Sequence, residues 1–110
     1  MVTNQPIASD RLQRLVDSLA QRLSLAVLVD DPALCPLAYS AQAIDSVDRV
    51  RAVSILNRQA PSEVVEYLFD QGIESAEGPV RVPGDESLGL ARRVCSPVRE
   101  AGQTLSLIHI

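Results

Sequence analysis

The chain has 110 residues, a length that suits one domain and makes two improbable. Its 46% hydrophobic and 22% charged residues are ordinary for a globular protein and argue against a disordered chain. A formal net charge of −4 at pH 7 disfavours direct binding of nucleic acid, because such binding needs a basic surface that displaces counterions from phosphates.

The N-terminal sequence has neither the basic cluster nor the apolar run of a signal peptide. No segment approaches the roughly 18 consecutive apolar residues of a membrane span. We therefore expect a cytoplasmic protein that has no membrane partner. All ten basic residues are arginine, a bias that indicates GC-rich coding and a bacterial source.

The first half of the chain predicts one helix and two strands. Residues 1–8 are expected to be a flexible segment, after which Ser9 caps an amphipathic helix with apolar residues at Leu12, Leu15, Val16, Leu19 and Leu23. Residues 25–29 show no alternation, which is typical of a strand buried on both faces. The Asp30-Asp31-Pro32 turn ends it. Residues 34–40 then form a second strand that Pro36 confines to an edge or a bulge.

The second half predicts two helices and three strands. Ser46 caps a largely buried helix at 47–57, and the Ala60-Pro61-Ser62 break separates it from an amphipathic helix at 61–71, which Gly72 ends in the left-handed region. The strands follow at 80–82, 93–99 and 104–110, the last two joined as a hairpin. This order predicts an α+β fold with antiparallel pairing.

The chain carries no recognisable catalytic or metal-binding motif. His109 is the only histidine, and no motif pairs it with a nucleophilic Ser or Cys, so we expect no enzyme activity. Cys35 and Cys95 form no C-x-x-C motif and are expected to be reduced core residues on strands. The carboxylates of Glu63, Glu66 and Asp70 predict a solvated helix face rather than a metal site. We therefore expect no cofactor and no metal.

Several segments together resemble a known family in their order and spacing. They are residues 51–65, 78–83, 88–90 and 93–99, and they resemble the GAF-like N-terminal sensor region of PucR-type bacterial transcription regulators over residues 10–104. In such proteins a C-terminal helix-turn-helix domain binds DNA, and the N-terminal region is thought to sense a small molecule or a partner.

The resemblance implies a GAF/PAS-like sensor domain at residues 9–110, with helices packed on an antiparallel sheet. It implies a non-catalytic module that binds a small-molecule effector or a partner, forms a homodimer in the full-length protein, and signals to a DNA-binding domain absent from this chain. Signalling would be a population shift between two packings of helices on the sheet. The alternative is a ligand-free dimerisation or scaffold module of the same fold.

In GAF-type folds the ligand pocket lies between the sheet and the helices on one face. The resemblance therefore implies a set of candidate lining residues, namely Tyr39, Arg51, Ser54, Arg81 and Cys95. Arg51 and Ser54 also share a helix face with Arg58, and the guanidinium fork suits carboxylate or phosphate. Each candidate has a simpler interpretation: surface exposure for that stripe, packing at the edge of the core for Tyr39 and Cys95, and an outward strand position for Arg81.

The C-terminal sequence Leu-Ser-Leu-Ile-His-Ile, residues 105–110, departs from the family pattern. Related domains usually continue with a glycine and aromatic residues and then a further helix, so we expect an incomplete, aggregation-prone domain with exposed apolar sheet surface. The segment also resembles translated sequencing-adapter read-through, which leaves open whether it is native to the gene. Its apolar character still allows it to pair as a strand.

Overall fold

A computed structural model describes the backbone of residues 4–40 and 49–110 and the side chains of residues 10–40 and 53–110. The described residues form helices and strands in the order α1 (Asn4–Leu23), β1 (Leu28–Asp30), β2 (Pro36–Tyr39), α2 (Arg49–Asn57), α3 (Ser62–Asp70), β3 (Val80–Val82), a 3₁₀ turn (Glu86–Leu88), β4 (Arg93–Glu100) and β5 (Gln103–His109). The fold is α+β, as predicted, and it is consistent with the GAF/PAS-like plan.

The five described strands form one sheet in the order β2-β1-β5-β4-β3, and every neighbouring pair is antiparallel. The predicted hairpin of β4 and β5 is confirmed. Its turn places Ala101 and Gly102 at φ values of 52° and 79°. Strand β5 pairs with β1 on one side and β4 on the other, so the C-terminal segment is the central strand of the sheet.

The register divides the sheet into two faces. Val29 lies opposite Ala38 and Ile108, and these residues pack with Val16 and Ala20 of α1. We call this side the α1 face. On the other side, Val64 and Leu68 of α3 pack against residues from three strands, Val82, Cys95 and Leu107. We call it the α3 face. Burial of aliphatic surface on both faces provides the main stabilisation of the fold.

Local sequence signals for turns and breaks are confirmed. Pro61 precedes α3 with φ −56° and ψ 144°, as expected where proline interrupts a helical pattern. Gly72 follows α3 at φ 77°, the left-handed conformation that glycine adopts with little cost. Pro36 begins the edge strand β2 directly beside the register shift between Val29 and Asp30, so it occupies both an edge and an irregularity.

Four sequence predictions need correction. The first helix begins at Asn4, so Ser9 lies inside it and is not its cap. The first strand is Leu28–Asp30 rather than residues 25–29, because Asp30 joins the ladder opposite Leu107. Helix α2 is not uniformly buried, since Leu56 is 71% exposed. Cys35 precedes β2 rather than lying on it, and Ser46 and Val47 lie outside the described residues.

Candidate ligand pocket

A cavity of about 470 Å³ lies where β3 ends, β4 begins and β5 ends, beside the segment that joins α1 to β1. This volume falls within the usual range for small-molecule sites, about 300–1,000 Å³. Its lining residues are Leu25, Arg81, Val82, Pro83, Arg92, Arg93, Val94 and Ile110. The cavity therefore combines an aliphatic wall with three arginines.

The three arginines that line the cavity differ in where their side chains lie. Arg81 is the central residue of β3 and pairs with Val94 on the α1 face. Arg92 precedes β4, and its side chain, like that of Arg81, is exposed. Arg93 is 7% exposed, and its Nε donates a hydrogen bond to the Ala91 carbonyl at 3.3 Å. Because Arg93 pairs with Val82, its side chain lies on the α3 face, so the exposed guanidinium groups of Arg81 and Arg92 are the ones that can turn towards a ligand.

The connection between β3 and β4 is fixed by contacts that position the cavity wall. Tyr67 Oη on α3 donates a hydrogen bond of 2.8 Å to the Pro83 carbonyl. A Cβ at Gly84 would lie 2.9 Å from the Arg92 nitrogen and 2.9 Å from the Leu90 oxygen, so the two chain segments approach closely there. The backbone that carries Arg92 is therefore held against the end of β3.

Asp85 organises the tight turn within the same connection. Its carboxylate accepts hydrogen bonds from the Ser87 amide and the Ser87 hydroxyl, and its backbone bridges to Leu90. The Ser87 hydroxyl lowers the pKa of the Asp85 carboxyl below its usual value, and backbone hydrogen bonds act in the same direction, against partial desolvation. Gly89 closes the turn at φ 70°.

A second cavity of about 430 Å³ lies between α2 and α3. It is lined by Asn57, Gln59, Ala60, Pro61 and Ser62, and none of these side chains is charged. The cavity at β3 and β4 is therefore the better candidate for a ligand with a formal charge.

The structure brings only one of the candidate site residues, Arg81, to the cavity at β3 and β4 among those whose side chains it describes. Tyr39 is 37% exposed on edge strand β2, where its carbonyl accepts a hydrogen bond from Gln13. Ser54 and Cys95 are 5% and 0% exposed, and both described cavities are lined by other residues. The side chain of Arg51 lies outside the described residues. Ligand binding by these residues stays a prediction.

Sequence reasoning missed Arg92 and Arg93 as partners of Arg81. The available signal was an arginine pair placed directly before an apolar strand, after a Gly-rich turn. The sequence places only Arg93 on a predicted strand and gives Arg92 no role, because the proximity of the pair to Arg81 depends on the pairing of β3 with β4.

A buried polar cluster joins three strands on the α3 face. His109 Nδ1 lies 3.2 Å from Cys95 Sγ, and His109 Nε2 lies 2.8 Å from Asp30 Oδ2. Asp30 Oδ1 has no hydrogen-bond partner in the described part of the chain. All three residues are at most 3% exposed, so the thiol is not presented to a substrate.

Comparison with known proteins links the chain to transcription regulation. It is 29% identical over 103 residues to the DNA-binding transcriptional activator AdeR of Bacillus subtilis (strain 168). The match covers 90% of this chain but 24% of AdeR, so the chain spans about a quarter of that relative's length. No protein-family model and no solved structure matches the chain. This similarity supports a relationship to a transcription regulator.

Within residues 4–40 and 49–110, no helix combines the length and apolar character needed to cross a membrane.

Proposed function

We propose that this chain is a non-catalytic regulatory domain of a transcription regulator, with a GAF-like fold of the PucR type, that binds a small-molecule effector. The observation that carries the proposal is the similarity to AdeR over 90% of the chain. The cavity at β3 and β4 supplies a concave site of suitable size for an effector. Occupancy of that site would favour one packing of α1 on the sheet and so bias a DNA-binding domain.

The position of the cavity supports this signalling route. Leu25 contributes to the lining and lies two residues beyond the end of α1. Val27, two residues further along the chain, packs with Val16 and Ala20 of that helix. A ligand that contacts Leu25 therefore acts directly on the segment that anchors α1 to the sheet.

A chimeric regulator tests the proposal. In it, this chain replaces the matched segment of AdeR, and transcription from a promoter that AdeR activates is measured. We expect activation by the chimera and an altered response in Val94→Trp, which fills the cavity. Leu56→Trp adds the same side chain at a site that is 71% exposed and should leave the response unchanged. Thermal melts of the isolated variants check that each one folds. Equal activation by both Trp variants would contradict effector binding at this site.

The second candidate function is a ligand-free dimerisation module. Leu15 and Leu23 of α1 are 67% and 42% exposed, which favours a helix that packs against another subunit. Sedimentation of the wild-type chain and of Leu15→Glu separates the two functions. A dimer that dissociates in Leu15→Glu, together with a chimera insensitive to Val94→Trp, would favour the scaffold.

A further inference from the structure

The cavity at β3 and β4 has a charge opposite to that of the whole chain. The chain carries a formal net charge of −4, yet Arg81 and Arg92, two of its ten basic residues, line this cavity with exposed side chains, and none of the lining residues is acidic. Concave sites with one sign of charge and low-dielectric walls concentrate ions of the opposite sign. The local field at this site therefore favours an anion.

The two exposed arginines have free hydrogen-bonding capacity. Among the described residues, the side chains of Arg81 and Arg92 form no hydrogen bond or ion pair, whereas that of Arg93 is engaged. Each guanidinium presents five N–H donors in a planar fork that fits carboxylate and phosphate oxygens bidentately. Two such forks beside one cavity can hold one anionic group between them.

The rest of the lining determines what the remainder of a ligand must be. Leu25, Pro83, Val94 and Ile110 offer only apolar side-chain surface. A free inorganic ion would leave this surface in contact with water, whereas a ligand with an apolar body would bury it. The cavity volume of about 470 Å³ accommodates such a body but not a macromolecular segment with its own fold.

We infer that the effector of this domain is a small organic anion, with a carboxylate or phosphate group held by Arg81 and Arg92 and an apolar body against Val94 and Leu25. The inference rests on the proposed function and gives the chemical class of the effector. The hydrogen bonds to the anionic group orient the ligand and make binding specific. The apolar body adds binding free energy because its surface is removed from water.

Calorimetric titration of the 110-residue chain tests the inference with three matched probes: 3-phenylpropanoate, 2-phenylethyl phosphate and the neutral 3-phenylpropanamide. We expect at least one anion to bind about tenfold or more tightly than the amide. Its affinity should fall about 10- to 100-fold in Arg81→Ala and in Arg92→Ala, as charged hydrogen bonds are lost. The control Arg11→Ala, at an exposed position on α1, should bind as the wild type does.

The outcomes separate this inference from the proposed function. Preference for the phosphate or for the carboxylate identifies which anionic group the site takes. Equal binding of the amide, unchanged affinity in both cavity variants, or no anion binding at about 10 mM would each overturn the inference. The regulatory role would still stand if Val94→Trp altered transcription by the chimera, because that result requires only an occupied cavity.

Discussion

The two faces of the sheet differ in how completely they are covered at β3 and β4. On the α3 face, Val82 and Cys95 are at most 2% exposed beneath Val64 and Leu68. On the α1 face of the same strands, Arg81 is exposed and Val94 is only half-buried, because α1 packs over β2, β1 and β5 instead. The covered face stabilises the fold, and the open one leaves room for a ligand.

The largest difference between the two regions is expected in the alkylation rates of the two cysteine thiols. Cys95 lies in the covered face at 0% exposure, so its alkylation by iodoacetamide requires unfolding and should be at least about a thousandfold slower than that of Cys35. Burial raises the pKa of the Cys35 thiol, and the Asp31 and Asp30 carboxylates add to the effect, so Cys35 itself should react more slowly at pH 8 than in the unfolded chain. Mass spectrometry of both sites, with a control in concentrated guanidinium chloride, measures the rates. Similar rates for the two thiols in the folded chain would contradict a closed α3 face.

A pair of leucine truncations compares the two regions directly. Leu68→Ala removes a side chain that is 2% exposed in the covered core and should lower the free energy of unfolding by about 2–5 kcal/mol. Leu25→Ala removes one that is 53% exposed beside the cavity and should cost less than about 1 kcal/mol. Urea unfolding of both variants measures the difference. Equal losses would show that the cavity region is packed as tightly as the core.

Substitution of Gly84, where two chain segments approach closely, should have an intermediate effect on the free energy of unfolding. In Gly84→Ala the new Cβ would meet backbone atoms of Arg92 and Leu90 at 2.9 Å, so the connection between β3 and β4 must shift. We expect a loss of about 1–3 kcal/mol in the free energy of unfolding, as for overpacked sites. Gly78→Ala is the control, because a Cβ there meets nothing within 4 Å. Chemical denaturation compares the two, and equal stability would mean that the connection is loose.

The smallest expected effect is the contribution of the Asp85 carboxylate to the pH dependence of stability. Because its pKa is lowered in the folded chain, its contribution to stability is present above the pKa of the unfolded chain and is lost as the pH falls through the folded value. Thermal melts of the wild type should therefore lose stability on acidification below about pH 4. Asp85→Asn and Ser87→Ala should each flatten that loss. A wild-type acid profile matched by both variants would exclude the carboxylate–hydroxyl bond as its source.

Features set by neighbouring residues could be predicted from the sequence. The break at Pro61, the left-handed Gly72 and the edge position of Pro36 each follow from backbone chemistry within one or two residues. The start of α1 could not be predicted in the same way. Ser9 carries a capping side chain, but the backbone stays helical from Asn4 onwards.

Features that depend on register could not be predicted. The proximity of Arg81 to Arg92 follows from the pairing of β3 with β4, and the contact of Asp30 with His109 joins two strands, β1 and β5, that are far apart in the sequence. No local pattern encodes either contact, since both need the strand order of the whole sheet. The resemblance of residues 105–110 to sequencing-adapter read-through stays a prediction, and the genomic DNA sequence across those codons tests it. These residues lie in β5, the central strand of the sheet.

The most direct test of the account is a map of anion binding by NMR. The ¹⁵N-labelled chain is titrated with 3-phenylpropanoate, and shifts are followed for backbone amides and for the arginine Nε–H groups. We predict shifts confined to Leu25, Arg81, Val82, residues 92–94 and Ile110, with the largest side-chain changes at Arg81 and Arg92. Shifts centred instead on residues 57–62, where the uncharged second cavity lies, or spread over α3, would contradict the claim that the open half of the α1 face is the ligand site.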